Sequence, residues 1–235
     1  MPLSNFIQDV NRVTFFDDFF SLNTAATTGA WVENGVGTET FTIAGASDGI
    51  VLLGTGTNLN DSCEIQSIGA IVKLEASKKY TFETRLSVTT AEAVKTSLGW
   101  FIGLNALDTS IYALGVITGT DHVGINKLTG AQTLDLVIRR ASGTVDRVAA
   151  IATYTDDTFT VVRFEVDVSS VVGTGVVRVW IDDLPVVLSG GSYDYQSTSL
   201  PTTVALTPTL AVCGTGAAAA ATLSGDYVRL SFPRV

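Results

Sequence analysis

Glu165 and Asp167 are the residues whose types and spacing come nearest to doing chemistry in this chain. They stand two apart in TVVRFEVDV, so on an extended strand both carboxylates leave the same face. Glycoside hydrolysis uses two carboxyl groups about 5 Å apart in its retaining form, one as nucleophile and one as acid. Glu165 and Asp167 are therefore the candidate catalytic carboxylates. The positions beyond them, Ser169 and Ser170, supply no acid to protonate a leaving oxygen. A structural role as cross-strand charge partners competes with the catalytic one and is preferred.

The elements that must position these groups lie between Thr158 and Pro185. Thr160, Val162, Phe164, Val166 and Val168 share one face of a first strand, and Arg163, Glu165 and Asp167 the other. On a second strand Val177, Val179 and Ile181 oppose Arg178, Trp180 and Asp182. A period of two over this length specifies a half-buried antiparallel hairpin. Setting Asp167 opposite Arg178 puts Glu165 opposite Trp180 and Arg163 opposite Asp182, with Val166 facing Val179 and Val168 facing Val177. That register makes opposite-charge pairs on one face and an apolar face behind them. Arg163, Glu165, Arg178, Trp180 and Asp182 then form a candidate contact surface, with Trp180 its exposed aromatic.

Other chemistry is weaker. His122 is the single histidine, and no G-x-S-x-G elbow accompanies it, so it reads as a turn residue beside Asp121. With Cys63 and Cys213 far apart and no Cys/His cluster, no metal site is expected, and both cysteines read as buried free thiols. Gly54–Asn58 lacks the lysine of a phosphate loop. The doublets Asp17-Asp18, Asp156-Asp157 and Asp182-Asp183 read as acidic turns before calcium ligands, since neighbours on a strand face opposite ways. Trp31, Trp100 and Trp180 offer stacking faces for sugars, but Trp100, within LGWFI, reads as core.

A net charge of −9 disfavours nucleic acid and anionic membrane as partners. Only 16% of residues are charged and 46% are hydrophobic, which implies a large core and leaves room for surface covered by other subunits. MPLSNFIQDVNRV has no basic, then apolar, secretory pattern, and no apolar run is long enough for a membrane helix. Its Phe6, Ile7, Val10 and Val13 fall at helical spacing. Residues 1–13 are therefore expected to be a short helix or a docking arm, resting on a neighbour or on the chain's own sheet. From Thr14 onward the pattern is strand and turn without a linker, giving one domain over 14–235. Sixteen candidate strands include Ile111–Ile117 and Val186–Leu188, and Ala217–Ala221 reads as tightly packed strand or loop. So many alternating strands call for two facing sheets.

Several segments in order carry a resemblance: Phe15–Phe19, Trp31, Tyr80–Leu86, Gly99–Gly103, Val177–Asp183 and Tyr227–Leu230. Together they resemble the concanavalin A-like lectin/glucanase jelly roll over residues 14–235. Asp183 stands where that pattern usually has Gly. The resemblance implies an all-β, two-sheet antiparallel sandwich. Its glucanases carry E-x-D-x-E or E-x-D-x-x-E, and this chain has Ser169 and Ser170 at the final position. Composition and arm also look like those of tailed-phage capsid decoration (cement) proteins. The function expected is thus a non-enzymatic virion protein, made in the host cytoplasm, that stabilises a capsid by binding the major capsid protein, as a homo-oligomer with a trimer favoured. A carbohydrate-binding module or adhesin is the alternative, and a glucanase comes third. No cofactor is expected.

Overall fold

The computed structural model describes residues 6–9, 12–19, 31–37, 39–44, 49–58, 60–69, 71–90, 98–107, 110–113, 116–128, 130–214 and 221–234. These contain strands and turns and no helix. In chain order the strands are β1 (Phe6–Asp9), β2 (Arg12–Asp17), β3 (Trp31–Val36), β4 (Thr40–Ala44) and β5 (Ile50–Gly54). Then come β6 (Ser62–Ser67), β7 (Val72–Lys73), β8 (Lys79–Thr90), β9 (Leu98–Ala106) and β10 (Tyr112–Ala113). The middle holds β11 (Val116–Ile117), β12 (His122–Lys127), β13 (Thr133–Arg139), β14 (Asp146–Thr153) and β15 (Thr160–Val168). Last are β16 (Gly175–Ile181), β17 (Leu184–Pro185), β18 (Tyr195–Ser197), β19 (Ala205–Gly214) and β20 (Ala221–Pro233).

Two antiparallel sheets result. The first follows β1-β2-β20-β8-β15-β16-β17, with β5 also on β20, β4 on β5 and β18 on β16. The second follows β14-β13-β12-β9-β19-β6-β3, with β7 on β19. Alternation explains the first sheet: buried and half-buried residues alternate along all of β15. Its inner side chains meet those of the second sheet in one core that holds Phe82, Phe164, Trp100 and Tyr154. Phe82 stacks on Phe164 at 5.1 Å, Trp100 meets Tyr154 edge-on at 5.2 Å, and the Tyr154 hydroxyl accepts the Val88 N–H. The two-sheet antiparallel sandwich expected from the sequence is therefore present.

The second sheet is different, because β9, β12 and β19 are buried on both faces. The small hairpin β10–β11 accounts for this. Ile111 and Tyr112 pack with Phe101, Val137, Ala211 and Cys213 in a second apolar cluster. Within Ile111–Ile117, expected as one strand, Tyr112–Ala113 and Val116–Ile117 thus pair with each other as a flap laid over the outer face of the second sheet.

Other corrections concern the ends. Phe6 and Ile7 belong to a strand rather than a helix, pairing with Phe15 and Thr14. The described part of the arm therefore lies on the chain's own sheet, while Val10 and residues 217–220 lie outside the described residues. Val186–Leu188 is no ladder strand, although Val186 N–H donates to Val179 O.

The hairpin register also differs from expectation. Glu165 lies opposite Arg178, Arg163 opposite Trp180, Val166 opposite Val177 and Val168 opposite Gly175. The cause is a shorter loop over residues 169–174, closed by Ser169 N–H to Thr174 O at 3.0 Å and by the two hydroxyls bonding each other. A slip of two leaves the faces unchanged, so the apolar face expected from sequence survives it. At the far end Asp182 and Asp183 take φ of 49° and 63°. Asp183 thus adopts the left-handed conformation that a Gly supplies at such turns.

Candidate functional site

Both sheets have outer faces, and they differ in kind. On the second sheet the flap seals a polar set. Glu64, fully buried, accepts Ser110 Oγ–H at 2.5 Å, Ile111 N–H at 2.8 Å and Tyr112 N–H at 3.0 Å. Burial raises its carboxyl to about 7 against the pull of those donors. Tyr112 Oη–H donates to Asn126 at 2.7 Å. His122 is not the turn residue expected but is wholly buried at the start of β12. Its Nδ1 lies 3.1 Å from Gly119 O, and burial lowers its pKa to about 4. Glu64 is thus closed off beneath the flap, whereas Glu33 and Glu39 line an open cleft of about 580 Å³ at the β3 edge of this sheet.

On the first sheet the outer face is open. One cross-strand row runs over five strands as Phe16–Arg229–Glu83–Arg163–Trp180. At the usual spacing between strands it is about 19 Å long. Beside it Arg12, Thr14, Thr81 and Ser231 join Glu83, Arg163 and Arg229 around a cleft of about 430 Å³. A second cleft of about 320 Å³ continues it past Phe16 and Tyr227. Arg12 is held by Ser231, with Nε–H donating to Oγ at 2.9 Å. Glu83 accepts Tyr227 Oη–H at 3.0 Å and lies 4.0 Å from Arg163 Nη1. The Arg163 guanidinium sits over the Trp180 ring at 4.6 Å and 3.6 Å from Asp183.

Of the residues expected at a contact surface, Arg163, Glu165, Arg178 and Trp180 share this face, while Asp182 lies in the turn after β16. Arg178 forks onto Asp194 at 2.6 and 3.1 Å and reaches Glu165 at 3.1 Å. Hydrogen bonds to Asp194 and Glu165 raise the Arg178 pKa further. Glu165 also meets Lys79 at 3.1 Å, and Asp167 lies 4.0 Å from the same amine. Cations therefore face both carboxylates, but not in the pairing expected: Arg178 goes to Glu165 instead of Asp167, and Asp167 has only Lys79 within 4.0 Å. Asp182 does not face Arg163; its Oδ1 accepts the Val161 N–H at 2.8 Å. Trp180 is half-buried beneath Arg163 and is a platform for that side chain more than a free stacking face.

Sequence reasoning missed Arg12, Phe16, Glu83, Tyr227 and Arg229. Alternation on β2, β8 and β20 does turn each of them outward. What no local pattern reveals is that these three strands are neighbours, because β2 and β20 pair across some 219 positions. Among the described residues no group of three His, Cys, Asp or Glu is placed to hold a metal.

No family model matches the chain, and no curated protein matches it by sequence. Solved structures do. An endo-1,3-beta-glucanase from Streptomyces sioyaensis aligns over 99% of this chain and 98% of its own, at 15% identity and TM-score 0.61. Peanut lectin aligns over 95% and 99%, at 14% identity and TM-score 0.56. An endo-beta-1,4-glucuronan lyase from Trichoderma reesei aligns over 92% and 94%, at 10% identity and TM-score 0.57. Across nearly its whole length, the chain has the concanavalin A-like jelly-roll fold of the lectins and glucanases.

Proposed function

We propose that the chain is a non-enzymatic, lectin-like module that binds carbohydrate on the outer face of its first sheet. The observation that carries this reading is the open row from Phe16 to Trp180, where guanidinium, hydroxyl and aromatic groups line connected clefts. Polar groups fixed on a rigid sheet, with aromatic faces beside them, are the equipment of a saccharide site. Similarity in fold to peanut lectin supports the reading. Against hydrolysis stand Glu165, neutralised by Lys79 and Arg178, and Glu64, sealed under the flap. A glycan array with purified protein tests it. Retention of one glycan class without release of product supports the module; sugar hydrolysis lost in Glu165→Gln or Glu64→Gln would restore the enzyme.

A second reading, a virion structural protein on a phage capsid, is favoured by one feature. Val171, Val172, Val187 and Tyr193 are exposed in the loops around β16, and Leu184 is exposed on β17 beside it. Apolar side chains in such number suit burial against another subunit. Light scattering after size exclusion, followed by mixing with empty capsids, tests this: a monomer that leaves capsids bare would remove it.

A further inference from the structure

We infer that the ligand of the first sheet's face is an acidic glycan, one bearing ring carboxylates such as a uronic-acid oligomer. The inference rests on the carbohydrate-binding reading and names its substrate class. The chain carries a net charge of −9, yet this cleft gathers Arg12, Arg163 and Arg229 around a single carboxylate, Glu83. Three guanidiniums against Glu83 in the cleft and Asp183 at its rim beside Arg163 still leave a local excess of positive charge where the rest of the molecule is negative.

Those guanidiniums are only partly engaged by the fold. The Arg229 side chain is exposed and makes no hydrogen bond or ion pair among the described residues. Its cross-strand neighbour Glu83 is instead engaged by Tyr227. Arg163 has acid neighbours only at 3.6 and 4.0 Å and is held flat by Trp180. Arg12 is fixed by Ser231 through Nε–H and Nη2–H. The cleft thus holds oriented guanidinium edges, and a guanidinium fork matches a carboxylate with two parallel hydrogen bonds.

The rest of the lining selects a sugar over a simple anion. Hydroxyls of Thr14, Thr81 and Ser231 stand between the guanidiniums, at hand for ring hydroxyls. Phe16 and Tyr227, with ring centroids 5.9 Å apart, flank the far end with apolar surface for a ring face. Glu83 accepts hydrogen bonds and repels a second anion placed on it, so carboxylates must alternate with neutral groups along the row. An oligosaccharide with one carboxylate per repeat meets that requirement.

Calorimetric titration of the intact chain with an oligouronate, with its carboxyl-reduced counterpart and with inorganic phosphate tests the inference. The oligouronate is expected to bind at least tenfold more tightly than the reduced oligomer. Arg229→Ala is expected to lower its affinity tenfold or more, within the range for hydrogen bonds to charged groups, while leaving the melting temperature unchanged because Arg229 supports nothing. Arg229→Lys is expected to recover part of the loss, since charge returns without the fork. Equal binding of the reduced oligomer, or an Arg229→Ala variant with unaltered affinity, overturns the acidic-glycan inference and leaves the carbohydrate reading standing. Displacement of the oligomer by phosphate at equal concentration also overturns it, in favour of a plain anion site. Failure of every saccharide on the array overturns both.

Discussion

Burial lifts the Glu64 carboxyl to about 7, while Ser110, Ile111 and Tyr112 hold it with three donors. Unfolded, the group titrates near 4.5, so between 4.5 and about 7 the folded chain binds more protons than the unfolded one. Its contribution to stability is full below 4.5 and is lost as pH rises through the folded value. His122 acts in the opposite sense: lowered from 6.5 to about 4, it favours the fold increasingly as pH rises between those values. Replacing Glu64 by Gln should remove the falling contribution. Relative to the parent protein, the variant should gain up to about 3 kcal/mol in stability as pH goes from acid to neutral. Urea midpoints at constant ionic strength read this directly, and an unchanged difference across that interval would show Glu64 titrating as an ordinary carboxylate. His122 stands out in the sequence only as the single histidine, without any sign of its burial, and Glu64 not at all. Glu64 sits in the featureless SCEIQS, and its donors come from a loop 46 to 48 positions away.

Among the elements, β9 and β12 show how a sheet face is fitted to the flap above it. Gly103 and Gly124 lie opposite each other, and the Phe101 ring crosses over both. A Cβ on Gly124 would stand 2.3 Å from Ile102 O and 2.7 Å from Phe101 Cζ. Backbone cannot yield there, so Gly124→Ala should cost about 1–3 kcal/mol, as overpacking in a core does. The check is a lower urea midpoint with an unchanged slope; an unaffected midpoint would mean that the ring moves aside freely. Alternation made the long strands legible, above all β15 and β16, whose faces came out correctly. Their register did not, because it depends on how tightly residues 169–174 turn, and side-chain periodicity is blind to a slip of two. The same blindness merged β10 and β11 into one strand. At the arm, apolar residues at helical spacing gave way to hydrogen bonds offered by β2, which would otherwise be a bare edge.

The sandwich as a whole keeps Cys63 and Cys213 apart although they lie on adjacent strands. Cys63 pairs with Val212 and faces the main core, whereas Cys213 pairs with Ser62 and faces the flap cluster. No disulfide can join opposite faces of one sheet, and burial together with nearby carboxylates pushes the Cys63 thiol up to about 12. A thiol-specific chromogenic reagent should therefore label neither cysteine in the native protein and both in denaturant, with melting unaffected by reductant. Fast labelling of the native chain would reveal an opening of the second sheet. At this scale the two-layer architecture was readable from the number and alternation of strands. The open row of arginines was not, since it is assembled from β2, β8, β15, β16 and β20, whose adjacency is a property of the finished sheet. β20 has a further consequence. It lies between β2 and β8, and Arg12 bonds Ser231 across 219 positions. During synthesis β2 and β8 leave the ribosome long before the strand that separates them exists. The first sheet is thus closed only after translation has passed β20, and until then β2, paired with β1, and β8, paired with β15, each keep one open edge that other chains could capture.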